Sequence, residues 1–230
     1  MAYPYWQLVF WGLWPIILVM KIHTNTGGLA ATNAYLIADE TTGDAAIIDA
    51  PQNTVQALLN VAQHNHWNIR YLLLTHGHWD HTSDHKVVTD AFPDAKVLIH
   101  KLDEPKLIKP GSLIFTLPYK IPPRQADGYL EDGNTIHIGN LEFQILFTPG
   151  HSPGHVVLYC RSQSLLMAGD LLFAGAVGRT DLPDSDPAAM EKSLLRVAEL
   201  PENTAVRPGH GPPTTIGQEK RSNPFLTGGA

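Results

Sequence analysis

Three imidazoles and a carboxylate crowd into six consecutive positions at His76-Gly77-His78-Trp79-Asp80-His81, directly behind the apolar run Tyr71-Leu72-Leu73-Leu74 and Thr75. Histidine and aspartate are costly to bury without partners, so a cluster this dense at the end of a buried strand is built around something it binds. A metal ion is the natural partner. In extended backbone, positions i and i+2 point the same way, so His76 and His78 hold one ion while Asp80 and His81, around the next bend, face another. Helical H-E-x-x-H spacing, by contrast, aims both histidines at a single zinc.

Three further donors stand at the ends of apolar runs. His151 lies in Thr148-Pro149-Gly150-His151-Ser152-Pro153-Gly154-His155, Asp170 follows Leu165-Leu166-Met167-Ala168-Gly169, and His210 lies in Arg207-Pro208-Gly209-His210-Gly211, beyond a short strand at residues 204–206. Glycine beside each donor lets backbone approach closely. Binding sites in layered α/β folds gather at strand ends, so four such endings favour a single site.

The elements that must position these groups read as strands alternating with helices. Short β-rich runs at residues 33–38 and 45–49 form a hairpin through Thr42-Gly43-Asp44. Thr54 is placed to cap a helix whose apolar positions Val55, Leu58, Leu59 and Ala62 recur at helical spacing, before a strand at residues 69–74. His64 and His66, at the end of that helix, read as complementing its dipole or simply facing solvent. A helix over residues 84–91 and a strand over 96–100 continue the β-α-β order. Residues 101–124 carry five prolines and read as a loop, either an exposed connector or a lid. A second hairpin joins residues 135–138 to 141–147 through Gly139-Asn140, with His137 on its solvent face.

Composition bounds the function classes. At 230 residues the chain is one large domain or two small ones, and 43% hydrophobic with 17% charged residues describes a chain that folds. A net charge of -6 argues against general nucleic-acid binding. The lone Cys160 cannot form an intrachain disulfide and reads as a core strand residue. Residues 3–20 are almost wholly apolar, broken by Gln7 and Pro15, and reach only the lower limit for a membrane-spanning helix. No basic residue precedes the run and no A-x-A-like site follows it, so a signal peptide fits worse. The preferred reading takes Met20 as the translation start. Residues 1–19 are then an extension outside the fold and residues 20–230 a cytoplasmic domain; the alternative is a membrane anchor through residues 3–20.

The H-x-H-x-D-H loop followed by T-P-G-H, G-D and P-G-H-G, in this order, resembles the metallo-β-lactamase fold over residues 21–226. The resemblance implies an α/β chain folded as a single-domain αββα sandwich: two mixed sheets face to face, helices outside, and a binuclear metal site at one edge. Carried over by motif, one ion takes His76, His78 and His151, the other takes Asp80, His81 and His210, and Asp170 bridges them together with a water. Zinc, iron or manganese suits such a donor set. Asp80 would also orient the attacking water. His155 matches no ligand position and reads as a supporting residue. Ser83 departs from the glycine usual two residues beyond the loop's last histidine.

Gly178-Arg179-Thr180-Asp181-Leu182-Pro183 and the stretch at residues 215–226 look like the short bacterial glyoxalase II-type hydrolases, which resemble hydroxyacylglutathione hydrolase without its C-terminal helical domain. The implied activity is hydrolysis of a small-molecule thioester such as S-lactoylglutathione, with Arg179, Lys220 and Arg221, or lysines of the 101–124 segment, as a clamp on the carrier. Two rival readings share the fold. A persulfide dioxygenase would use one iron, held here by His76, His151 and Asp170, and a lactonase or β-lactamase-like enzyme would open a ring.

Overall fold

The computed structural model describes residues 19–228, so the extension read over residues 1–19 falls, but for Val19, outside the described residues. The first sheet runs β1 (Met20–Gly27), β2 (Thr32–Asp39), β3 (Asp44–Ile48), β4 (Asn68–Leu73), β5 (Lys96–Ile99) and β6 (Gly128–Tyr129) in spatial order. Its first three strands are antiparallel neighbours, and β3 to β6 pair in parallel. Parallel pairs need crossovers, and the segments between these strands supply helices α1 (Val55–His64), α2 (Trp79–Thr82), α3 (His85–Ala91) and α4 (Glu104–Ile108). The second sheet holds β7 (Thr135–Ile138), β8 (Leu141–Phe147), β9 (Val156–Cys160) and β10 (Leu165–Gly169). A small hairpin of β11 (Leu172–Phe173) and β12 (Ala176–Val177) and helix α5 (Pro187–Ala198) follow. Then β13 (Ala205–Pro208) pairs parallel to β10, β14 (Thr214–Thr215) closes the edge, and α6 (Ile216–Ser222) and α7 (Pro224–Thr227) end the chain.

Alternation along β2 shows how four layers arise. All eight of its residues are buried. Tyr35 and Ile37 face β8 and β9 residues Phe143, Ile145, Val156 and Leu158 between the sheets, whereas Ala34, Leu36 and Ala38 face the outer layer of Val55, Leu58 and Leu59 from α1. The second sheet's outer face packs Val157, Leu166 and Ala168 on Met190, Leu194 and Val197 of α5. The result is the αββα sandwich expected from the resemblance, folded as one domain.

Local expectations hold in most places. Met20, Lys21 and Ile22 open β1, the two hairpins form, Cys160 is buried, and His64, His66 and His137 are exposed. Others do not. Thr54 does not cap α1, because its hydroxyl donates to Pro51 O at 2.6 Å instead. The segment at residues 101–124 is not all loop: α4 forms within it, with Pro105 in its first turn, where a missing N–H costs nothing. Ser83 sits at φ -55°, ψ -42°, an ordinary right-handed conformation in which a serine fits without strain. Among the described residues no helix is long and apolar enough to cross a membrane.

Candidate metal centre

The C-terminal ends of β4, β8, β10 and β13 deliver the donors to one edge of the sandwich. His76, His78 and His151 form one group able to hold an ion, His76, His81 and Asp170 a second, and Asp80, His81 and His210 a third, with the donor atoms of each within 4.8 Å of one another. His76 is central. Its ring centroid lies 4.7 Å from His78, 4.1 Å from His81 and 4.9 Å from His151. Asp170 lies between the two outer groups: Oδ1 is 3.3 Å from His81 Nε2, and Oδ2 is 3.3 Å from both His151 Nε2 and His210 Nε2. The seven donors read from the sequence therefore converge.

The cluster fits a metal on its own chemistry. Nε2 of His76, Nε2 of His81 and Oδ1 of Asp170 are buried with no hydrogen-bond partner. Leaving such atoms unpaired costs about 1–3 kcal/mol each, a cost that a coordinated cation removes. The other nitrogen of the His76, His81, His151 and His210 rings is engaged, as a ligand's must be if its tautomer is to be fixed. His81 Nδ1 lies 2.7 Å from Asp49 Oδ2, His151 Nδ1 donates to Arg179 O at 2.8 Å, and His210 Nδ1 donates to Ala30 O at 3.1 Å. His76 Nδ1 meets Thr75 Oγ1 at 3.1 Å, and His78 Nε2 stands 3.6 Å from Asp184 Oδ1.

Charge within the cluster is mutually compensated. Burial alone would raise Asp170, but His81, His210 and His151 outweigh it and hold the carboxyl well below its usual range. Burial would lower His81, yet Asp170, Asp49 and Asp80 push it well above the usual imidazole value. The same contest, with Asp170 and Asp80 against burial, lifts His210 to about 9. His76, buried among other imidazoles, is driven the opposite way. His155 is a neutral strut: Asp170 N donates to its Nε2 at 2.9 Å, its Nδ1 meets Thr148 Oγ1 at 3.0 Å, and burial takes it to about 3.

Several working residues carry no sequence signal of the kind the histidines do. Asp49, at the end of β3, accepts from Thr75 N and Thr75 Oγ1, both at 2.8 Å, besides holding His81. Asp103 is fully buried and joins two donor loops, accepting from Gly77 N at 2.7 Å, Ser152 Oγ at 2.7 Å and Gly154 N at 2.9 Å. A Cβ on Gly77 or Gly154 would come within 2.8 or 2.7 Å of Asp103 backbone, so glycine is what admits this carboxylate. Lys106 then bridges Asp103 at 2.8 Å to Asp184 at 2.9 Å, behind His78. From the first sheet, Asn33 Nδ2 and Tyr35 Oη donate to Pro208 O at 3.0 and 2.7 Å, fixing the turn that presents His210.

A cleft of ≈ 360 Å³ opens over the donors, and His78, Asp80, His151, Asp170 and His210 form its floor. Of the cations read as a carrier clamp, Arg179 lines this cleft, with its guanidinium held by Asp181 at 2.6 and 2.8 Å. Lys220 and Arg221 are not brought to it; both pair with Glu202, at 3.9 and 3.3 Å.

Comparison with known proteins agrees with this geometry. Residues 27–210 match the family model of the metallo-beta-lactamase superfamily. An uncharacterized protein of Aquifex aeolicus is 38% identical over 201 residues, 86% of this chain and 93% of its own. Hydroxyacylglutathione hydrolase GloC of Haemophilus influenzae is 34% identical over 209 residues, 84% of this chain and 92% of its own. Among solved structures, TTHA1623 in a di-iron-bound form superposes with a TM-score of 0.76 at 40% identity, covering 89% of this chain and all of that one (100%). BLEG-1 B3 metallo-beta-lactamase does so with a TM-score of 0.78 at 33% identity, covering 90% and 100%. With the four-layer fold, the donor cluster and these matches in agreement, the chain belongs to the metallo-β-lactamase superfamily and is one of its metallo-hydrolases.

Proposed function

We propose that the protein is a binuclear metal-dependent thioester hydrolase of the hydroxyacylglutathione type. The observation that carries this reading is the make-up of the cleft: five of the seven candidate donors form its floor above buried His76 and His81, and among the described lining residues there is no other acidic or basic side chain except the Asp181-paired Arg179. A thiol has a pKa near 8.5 and leaves without a general acid, whereas an amine or alkoxide leaving group asks for one. His76, His78 and His151 would hold one divalent cation, Asp80, His81 and His210 a second, and Asp170 would serve both; when bound, the ions would supply Lewis acidity that polarises a carbonyl and acidifies water.

The remaining steps belong to the chain. Burial opposes charge on Asp80, but His81 and His210 outweigh it and hold the carboxyl below its usual value, so it is ionised at neutral pH. Thr32 Oγ1 donates to its Oδ2 at 2.9 Å and fixes its orientation. In this reading Asp80 orients the water that attacks the acyl carbon and accepts its proton. The carbon–sulfur bond then breaks, sulfur leaves as thiolate and takes up the proton that Asp80 accepted, giving one carboxylic acid and one thiol. The similarity to GloC supports S-lactoylglutathione as the first substrate to test. Free thiol is expected to appear in step with acid, and Asp80→Asn to lower kcat at least 100-fold with little change in KM, because what it removes acts on the transition state.

The likeness to a B3 metallo-beta-lactamase supports a second reading, hydrolysis of a lactam or lactone ring. Ring opening by protein that ignores every thioester would replace the first reading with the second.

A further inference from the structure

The walls of the cleft, unlike its floor, are apolar. Leu113, Ile114 and Phe115 form one rim, with 46%, 55% and 46% of their surface exposed, an unusual display of three consecutive large apolar side chains. Phe115 meets the Trp79 ring edge-on at 5.5 Å, so the rim continues down to the metal-binding loop. Phe173, Val177 and Leu182 line the same cleft, and the Phe173 ring lies 5.8 Å from His210. An apolar wall therefore reaches the donors.

Charge narrows the occupant further. Among the described residues Arg179 is the one Lys or Arg lining the cleft, and Asp181 already holds it by two hydrogen bonds. Lys106, the nearest lysine behind the donors, is committed to Asp103 and Asp184. Lys101, Lys109 and Lys120, the other lysines of the connector, do not line the cleft. A carrier with two free carboxylates thus finds no uncommitted side-chain cation among the described lining residues.

Building on the thioester reading, we propose that this cleft selects thioesters carrying an aliphatic or aromatic group, which packs against the Leu113–Phe115 rim, Trp79 and Phe173. Such a group is preferred over the short polar lactoyl unit on a charged carrier. It can sit on the acyl or on the thiol side of the ester, and two substrate series separate these sources.

The test uses metal-loaded full-length protein. One series carries acetyl to octanoyl groups on N-acetylcysteamine; the other carries a constant acetyl group on straight-chain alkanethiols. In one of the two series kcat/KM is expected to rise about two- to fourfold per methylene, the gain that partial to full burial of a CH₂ gives, and to exceed the value for S-lactoylglutathione. Leu113→Ser and Phe115→Ser, both at exposed positions, should flatten that rise while thermal unfolding stays unchanged. Binding of inert S-alkyl thioethers of N-acetylcysteamine, followed by calorimetry, reads the same preference without turnover. Length-dependent thioether binding with no thioester turned over would uphold the apolar subsite and sink the thioester reading. Flat profiles in both ester series, or thioether affinities independent of length, would overturn the inference.

Discussion

Asp103 shows how one side chain can hold a metal centre without touching it. It ties the loop of His76 and His78 to the loop of His151, two segments from different sheets, through Gly77 N, Gly154 N and Ser152 Oγ. Asp103→Ala strands those donors and the Lys106 ammonium, and is expected to cost about 3–5 kcal/mol in denaturant unfolding, the range for breaking a buried charged network. Burial opposes the charge on Asp103, but Lys106 and the hydrogen bonds prevail and its folded pKa is lowered. A depressed carboxyl pKa contributes stability that is present above the unfolded value, about 3.9, and is lost as pH falls through the folded value. With Asp103→Asn the stability gap to wild type should therefore narrow as pH falls below the unfolded value, about 3.9; a gap that stays constant through the acid range would contradict this. The seven donors were legible because histidine and aspartate packed this densely behind apolar runs are too costly to bury without a cation to hold. Asp103 was not: it lies amid charged and proline residues, and only its burial in three dimensions marks it.

The strands place the donors and the connector steadies them. Strand ends were legible because β4, β8 and β10 are apolar runs broken sharply by glycine or proline, whereas β6, the β11–β12 hairpin and α4 are too short to leave a period in the sequence. Helix α4 matters nonetheless, since it carries Lys106 between Asp103 and Asp184, and Asp184 in turn faces His78 at 3.6 Å. Lys106→Met leaves Asp184 without its cation and frees the His78 ring. Metal affinity at the His76, His78 and His151 position should fall about 10-fold, measured by chelator competition, the lower end for loss of an orienting partner. A fall in thermal stability with unchanged metal affinity would show that the bridge only braces the fold. Ser83 joins α2 to the same connector, donating to Trp79 O at 2.5 Å and meeting the Tyr119 hydroxyl at 3.1 Å, a role that a glycine in its place could not fill.

At the scale of the molecule, the two sheets bring their strand ends together around the donor cluster, so metal loading is expected to tie folding, charge and activity together. Ligands must shed protons to bind. His210, raised to about 9 before metal arrives, is protonated at neutral pH, so loading should release at least one proton per chain. Calorimetric titrations in buffers of different ionisation enthalpy read that release; its absence at pH 7 would mean that His210 is not a ligand. The most direct test of the central claim combines metal analysis with turnover on the same samples. Wild-type protein is expected to carry close to two ions per chain and to hydrolyse a thioester, while His81→Ala or His210→Ala retains about one ion and loses at least 100-fold in kcat. Full activity with a single bound iron, oxygen consumption, and a dispensable His210 would contradict it.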